Sequence, residues 1–184
     1  MLSIKLLILM SVMIAGLSIS ELSQAADFSK MDTEKVIEAV KKLDKQITQV
    51  QLQTGEGHEM LIIKYRALVS PDPLLQESKN LMNITRKVVT SKGSERFAAL
   101  LYVLMIPSRD EHNNPIDGEG VQLSWSMHNL KKINWKGLQN WQFLDLAEWI
   151  IQGPMGAGVI KAYCGEGRSF SEGFCKKVHP EITQ

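Results

Sequence analysis

Hydrophobic positions recur at helical spacing between residues 32 and 53. Asp32 or Thr33 can cap this segment at its N-terminus. The apolar residues then follow steps of four and three, at Val36, Val40, Leu43, Ile47 and Val50. The pattern predicts one amphipathic helix over residues 32–53, ended by the glycines at positions 55 and 57. Packing of this helix on a sheet is one interpretation, and partner binding through its apolar face is the other.

Three segments have the patterns of strands. Residues 59–70 and 121–128 alternate apolar and polar side chains, which predicts two half-buried strands. Residues 97–106 form a continuous apolar run, so periodicity cannot separate strand from helix there. The pair Tyr102-Val103 and the closing Pro107 favour a strand. Residues 108–120 are polar and rich in turn formers, which predicts a long loop at the end of an antiparallel hairpin.

Further segments predict helices. Asp72 and Pro73 are typical of a helix N-terminus, and Gly93 is typical of a helix end. Another helix is predicted over residues 141–152, with Asn140 as its cap, and a shorter one over residues 157–164. The order of elements predicts a single α+β domain over residues 26–184. We expect a small mixed sheet of about three strands, including one antiparallel hairpin, packed against amphipathic helices.

The first 25 residues have the features of a secretory signal peptide. Lys5 precedes an apolar run from Leu6 to Ile19, and Ser23 and Ala25 supply the small residues of a cleavage site. The run is shorter than the about 20 apolar residues of a membrane-spanning helix. We therefore expect an exported, soluble protein, periplasmic or secreted, whose mature chain begins at Ala26 and has no membrane span.

Charge excludes some classes of partner. The chain has 21 Lys and Arg residues and 20 Asp and Glu residues, a net charge of +1, and the two signs are interspersed. Nucleic acids and anionic membranes attract proteins that carry a basic patch. We expect neither as a partner.

The two cysteines, Cys164 and Cys175, predict a disulfide, because an even cysteine count in an exported chain is typical of a bridge. The alternative is two reduced thiols or an incomplete metal site. The bridge would close a C-terminal loop that contains Arg168 and Phe170, and these residue types often dominate interface energies. Both are candidate partner contacts. In the alternative interpretation, the loop only holds the C-terminal segment on the core.

The densest group of possible metal ligands lies in residues 109–119. This segment contains four carboxylates and one histidine, with Asp110, His112 and Asp117 as the candidate ligands. Its spacing does not match the helix-loop-helix calcium pattern, and a solvated hairpin loop has the same composition. Four tryptophans follow within residues 125–149. Two or three are expected in the core, and Trp135 is the best candidate for an exposed partner contact.

Two functional hypotheses follow. The first is an exported, non-enzymatic interaction or accessory protein of the cell envelope, such as an adaptor, a subunit or an inhibitor. Its partner would be another envelope protein, and no cofactor is expected. The alternative is a small hydrolase or metal-dependent enzyme that uses the carboxylates of the 109–119 loop and His112. No complete catalytic motif occurs in the sequence, which favours the first hypothesis. The sequence leaves the oligomeric state open.

Overall fold

The structure is a computed structural model that describes residues 26–55, 57–165 and 172–178. Within these residues it has one five-stranded sheet and six α-helices. The strands are β1 (Ile47–Gly55), β2 (His58–Arg66), β3 (Phe97–Arg109), β4 (Pro115–Ser126) and β5 (Trp149–Gln152). The helices are α1 (Thr33–Lys41), α2 (Pro73–Thr90), α3 (Met127–Leu130), α4 (Asn140–Asp145), α5 (Gly156–Tyr163) and α6 (Glu172–Val178). The predicted α+β class is confirmed, but the sheet has five strands rather than about three.

The strands lie in the order β1-β2-β3-β4-β5. β2 and β3 are parallel, whereas each other neighbouring pair is antiparallel. A parallel pair needs a crossover connection, and α2 supplies it between β2 and β3. The predicted hairpin of β3 and β4 is confirmed.

The helices cover one face of the sheet. Alternate side chains of the three central strands are buried in a cluster with residues of α1, α2, α4 and α5. In its middle the Trp125 ring stacks on Phe143 of α4, with 4.6 Å between the ring centroids, and the edge of Tyr102 meets Trp125. The sheet residues of this cluster are Leu61, Ile63, Tyr65, Leu100, Tyr102, Leu104, Val121, Leu123 and Trp125.

α2 begins where the sequence predicts. The Asp72 carboxylate accepts the N–H of Leu75 at 3.1 Å, and Pro73 is the first helical residue. After the helix, Gly93 has a φ of 81°. A side chain at this position would collide with the backbone of Ser29, so this glycine lets the N-terminal segment pack closely.

The predicted helix over residues 32–53 is wrong in its second half. α1 ends at Lys41, a turn follows in which Asp44 accepts the N–H of Gln46 at 2.8 Å, and β1 begins at Ile47. The apolar spacing of Ile47 and Val50 extends the helical pattern by coincidence. The residues from 49 to 53 alternate strictly, and β2 offers them a ladder of backbone partners.

The predicted helix over residues 141–152 is also wrong at its end. α4 stops at Asp145, and residues 149–152 pair with β4 as strand β5. Asn140 is the first helical residue rather than the cap, and the side chain of Gln142 accepts the N–H of Gln139 at 2.9 Å. The bulky run Trp149-Ile150-Ile151 suits a strand, and the edge of β4 supplies its hydrogen-bond partners.

The predicted loop over residues 108–120 is mostly strand. β3 continues to Arg109 and β4 begins at Pro115, so only residues 110–114 form the turn. Asp110 organises this turn, because its carboxylate accepts the N–H groups of His112 and Asn114 at 2.9 and 2.8 Å. The polar side chains of the segment belong to a long two-stranded arm.

The predicted disulfide between Cys164 and Cys175 is confirmed, and it links the end of α5 to α6. Phe174 of α6 is buried, and its N–H donates to the Asp145 carboxylate at 2.7 Å. Burial raises the pKa of Asp145, although this N–H and nearby Lys177 favour the charged form. The bridge, the buried ring and this hydrogen bond together hold α6 on the core. None of the helices in the described part of the chain is long and apolar enough to cross a membrane.

Candidate functional site

The second face of the sheet carries none of the helices that the structure describes. We call it the open face and define it by the side chains that point away from the core cluster. Strand pairing aligns them in three rows across the sheet. The rows are Gln53, Met60, Ala99 and Ser126; Gln51, Ile62, Leu101, Ser124 and Trp149; and Gln49, Lys64, Val103, Gln122 and Ile151.

The open face has an apolar centre and a neutral polar surround. Ile62 and Leu101 are half-buried by their neighbours in the sheet, and Val103 is buried although it lies outside the core cluster. Amides and hydroxyls flank this centre on β1 and β4. Lys64 is the one charged residue of the three rows. Such a surface is suited to an uncharged partner surface.

Two large apolar side chains protrude at the β5 side of the open face. Trp149 is 71% exposed and Ile151 is 53% exposed. They lie beside Ser124 and Gln122 in the register of β4 and β5. A tryptophan and an isoleucine two residues apart on one strand point to the same side, so they form one contact surface.

Hydrogen bonds hold β5 in position at both ends. Glu148 donates its N–H to the carbonyl of Ser124 at 2.8 Å, and its carboxylate accepts the N–H and hydroxyl of Ser126 and the amide of Asn129 at 2.8–2.9 Å. Burial alone would raise the pKa of Glu148, but these hydrogen bonds outweigh it and lower the pKa. At the other end Gly153 donates to the carbonyl of Gly120 at 2.7 Å. Trp149 is therefore presented by a restrained strand.

One end of the open face is charged and opens into a cleft. The Arg66 Nε donates to the Asp117 carboxylate at 2.9 Å. Arg66 also lines an open cleft of about 440 Å³ at the carboxyl end of β2. Leu68 and Val69 line it, and Val69 is 89% exposed.

The tryptophans are distributed differently from the prediction. Trp125 is buried and Trp141 is half-buried. Trp135, the predicted exposed contact, is half-buried against the core, with its ring 6.3 Å from that of Phe143. The exposed one is Trp149, which sequence reasoning placed inside a helix. The run of one aromatic and two β-branched residues before Gly153-Pro154 is a strand signal that could have found it.

The predicted metal-ligand candidates are engaged in separate contacts. Asp110 accepts hydrogen bonds within its own turn, and the amide of Asn114 lowers the pKa of its carboxyl. His112 is exposed and lies 3.4 Å from the Glu111 carboxylate. Asp117 lies on β4 and is paired with Arg66. Over the described residues, no group of three or more His, Cys, Asp or Glu side chains could hold a metal ion.

Two histidines that are distant in sequence meet at one cleft. His58 and His128 line an open cleft of about 300 Å³ together with Glu95 and Lys131. Lys131 Nζ lies 3.9 Å from the Glu95 carboxylate. The cleft is lined by residues of β2, β3, α3 and the segment before β3, at the end of the sheet away from the 110–114 turn.

Arg168 and Phe170, the predicted contacts of the disulfide loop, lie outside the described residues, as does the predicted signal peptide. Among the residues that the structure places, the open face is therefore the candidate surface for a partner. The chain matches no protein family model, no curated protein and no solved structure.

Proposed function

We propose that the protein is an exported, non-enzymatic interaction protein of the cell envelope that binds a partner protein through the open face. The observation that carries this proposal is the exposed pair of Trp149 and Ile151, which are neighbours on β5 and lie on the same face as the apolar centre of the sheet. Scattered apolar residues are normal on a protein surface, whereas a contiguous set marks a contact site.

The chemistry of the open face supports a protein partner. Tryptophan is enriched among the residues that contribute most to binding, because burying its large ring removes much apolar surface from water. Gln122 and Ser124 lie next to Trp149 and Ile151 and can supply the polar contacts that surround an interface centre. The neutral rows disfavour a highly charged partner.

The rigidity of the surface also supports binding. Trp149 is on a strand whose two ends are hydrogen-bonded to β4, so little backbone freedom is lost when a partner docks. A sheet presents its side chains at constant spacing without a conformational change. The open face is preorganised for a flat or slightly concave partner.

Export is supported by two observations. The Cys164–Cys175 disulfide is typical of oxidising compartments. Ala26 packs against the core and Phe28 is buried, so a mature chain that begins at Ala26 keeps its N-terminal contacts. These contacts are compatible with cleavage after Ala25.

Site-specific cross-linking tests the proposed surface. A photoreactive amino acid at Ser124, in the middle of the open face, should form an adduct with a protein in envelope preparations. The same probe at Arg86, an exposed position on α2, is the control and should not form that adduct. An adduct at both positions, or with a non-protein ligand only, contradicts the proposal.

Substitution of Trp149 tests how much this side chain contributes to the free energy of partner binding. With the captured partner purified, Trp149→Ala should weaken binding at least tenfold, which is about 1.4 kcal/mol. Ile116→Ala removes an exposed aliphatic side chain from the β3–β4 arm and should leave the affinity unchanged. Equal affinity of the Trp149→Ala variant and the unchanged protein would show that the partner binds elsewhere.

A further inference from the structure

β1 forms one edge of the sheet, and its outer side is unpaired among the described residues. This edge is nine residues long and contains no charged residue and no proline. Natural proteins usually protect an exposed edge with lysine, proline, a bulge or a short strand, because free N–H and C=O groups pair with other strands. The opposite edge, β5, has only four residues. β1 has an irregularity between Ile47 and Gln49, and residues 49–55 are regular.

The sequence of this edge is nearly symmetric about its centre. Residues 48–54 read Thr-Gln-Val-Gln-Leu-Gln-Thr, a palindrome about Gln51 except for the exchange of Val50 and Leu52. When two identical strands pair in antiparallel orientation about a two-fold axis, each residue meets the residue at the mirrored position. In a palindromic strand, each residue therefore lies opposite a residue of the same type in the second copy.

We propose that β1 pairs with β1 of a second copy of this chain, in antiparallel orientation about Gln51, to form one ten-stranded sheet. In this register Gln49 lies opposite Gln53 of the second copy, and Gln51 lies opposite its own counterpart. These glutamines belong to the open face, and each amide can both donate and accept a hydrogen bond.

The other side of the strand is suited to the same register. Val50 is buried and Leu52 is half-buried against the core, and pairing places Val50 opposite Leu52 of the second copy. The contact therefore continues the core layer across the two-fold axis. Every paired position of residues 49–53 is uncharged, so no like charges meet.

This inference does not depend on the proposed function, because it rests on β1 and the partner contact rests on β5. The two edges lie on opposite sides of the sheet. Pairing at β1 leaves Trp149 accessible in both copies and joins two open faces into one continuous surface.

Disulfide trapping tests the register. The native disulfide uses both cysteines of the chain, so a cysteine introduced in β1 is the only free thiol. Gln51→Cys should give a covalent dimer on mild oxidation, because opposite residues of an antiparallel pair have Cα atoms about 4.5–5.5 Å apart. Gln49→Cys alone should not, because its two copies would be about 14 Å apart along the strands.

A mixture of the Gln49→Cys and Gln53→Cys proteins supplies the matched positive control. It should form a mixed dimer, since these positions lie opposite each other in the proposed register. Equal cross-linking of Gln49→Cys, Gln51→Cys and Gln53→Cys, each alone, would overturn the register. A failure of both Gln51→Cys alone and the mixture of Gln49→Cys and Gln53→Cys to cross-link would overturn the pairing.

Charge substitution tests the pairing without a covalent bond. The unchanged chain should sediment as a dimer at high micromolar concentration. Gln51→Lys and Gln51→Glu should each sediment as a monomer, because like charges face each other across the axis, and an equal mixture of the two should recover the dimer. Circular dichroism establishes that both variants fold. A monomeric unchanged chain, or a mixture that stays monomeric, would overturn the proposal.

Discussion

At the scale of single residues, the carboxylate of Glu77 on α2 is a buried polar group with several hydrogen-bond donors around it. It is fully buried and accepts hydrogen bonds from the N–H of Leu68 at 2.9 Å, the amide of Asn80 at 3.1 Å and the hydroxyl of Tyr65 at 3.2 Å. Burial and the Glu77 charge raise the pKa of Tyr65, so its phenol stays protonated and donates. This group joins α2 to the end of β2 and to Leu68, which follows it.

Removal of the Glu77 carboxylate should destabilise the folded chain. We expect Glu77→Ala to lower the free energy of unfolding by about 3 kcal/mol, because several buried donors lose their acceptor. Tyr65→Phe removes one donor only and should cost about 1 kcal/mol. Urea unfolding of the two variants measures both values. An equal loss in both would show that the Tyr65 hydroxyl is the only stabilising partner.

At the scale of elements, β5 depends on the residue just before it. The Glu148 carboxylate bridges β4 and α3, and the strand that carries Trp149 starts from this anchor. The short strand has four paired residues, so its stability comes from these ends as much as from its ladder. The position of the exposed pair, Trp149 and Ile151, therefore depends on Glu148, which does not itself lie on the open face.

The Glu148 anchor should give a pH-dependent effect. Its pKa is lower in the folded chain than the usual value of 4.5, so its contribution to stability is complete above that value and is lost as the pH falls through the folded pKa. We expect Glu148→Gln to cost about 1 kcal/mol at neutral pH after solvent screening. Amide hydrogen exchange in residues 149–152 should be faster in this variant.

Unfolding of Glu148→Gln and of the unchanged chain at several pH values tests whether the Glu148 charge causes this effect. The difference in unfolding free energy between Glu148→Gln and the unchanged chain should shrink as the pH falls from 4.5 through the lowered folded pKa of Glu148, because both side chains are neutral below that pKa. A difference that is constant from neutral to acidic pH would contradict a role for the charge. Asp145 titrates in both proteins and cancels in this comparison.

The attachment of α6 is a second element-scale feature. We expect replacement of both cysteines, Cys164→Ser with Cys175→Ser, to lower the free energy of unfolding by about 2–3 kcal/mol, because the bridge restricts the unfolded chain. Thermal unfolding measures this loss. Partner binding through Trp149 should be unchanged, since α6 contacts the helix-covered side of the molecule. Loss of binding would place the contact near α6 instead.

At the scale of the whole molecule, one layer of helices covers one face of one sheet, and the other face carries none of the described helices. A five-strand row is about 19 Å wide and three rows extend about 14 Å along the strands. This outline is smaller than the about 800 Å² that each partner buries in a standard interface. A single open face therefore covers only part of a standard interface, and the joined faces of a dimer would offer twice the area to a larger or repeated partner.

The proposed export makes a prediction for the whole chain. The protein recovered from the envelope or medium of the producing cells should have lost residues 1–25 and should begin at Ala26. Intact-mass analysis measures this directly. The same sample, denatured without reductant, should show no thiol reactive to alkylation, because Cys164 and Cys175 are bridged. A retained apolar N-terminus would contradict processing, and two reactive thiols would contradict an oxidising destination.

Some features follow from local sequence because local physics decides them. The start of α2 is determined by Asp72 and Pro73, since a side-chain acceptor and a fixed φ favour a helix start in any context. The alternation in β2 shows which residues face the core. The disulfide follows from a cysteine pair with no other candidate partner. Each of these conclusions needs only neighbouring residues or residue counts.

Contacts between distant segments determine that the two edge segments are strands, and they determine the surface between these strands. Residues 47–53 and 149–152 match a helical spacing locally, but they pair with β2 and β4, where backbone partners are available. Because each segment is a strand, its side chains alternate between the helix-covered face and the open face of the sheet. Strand register places Trp149 beside Ser124, and strand order places Gln51 on the outermost described strand. Register depends on contacts between distant segments, so only the folded chain contains it.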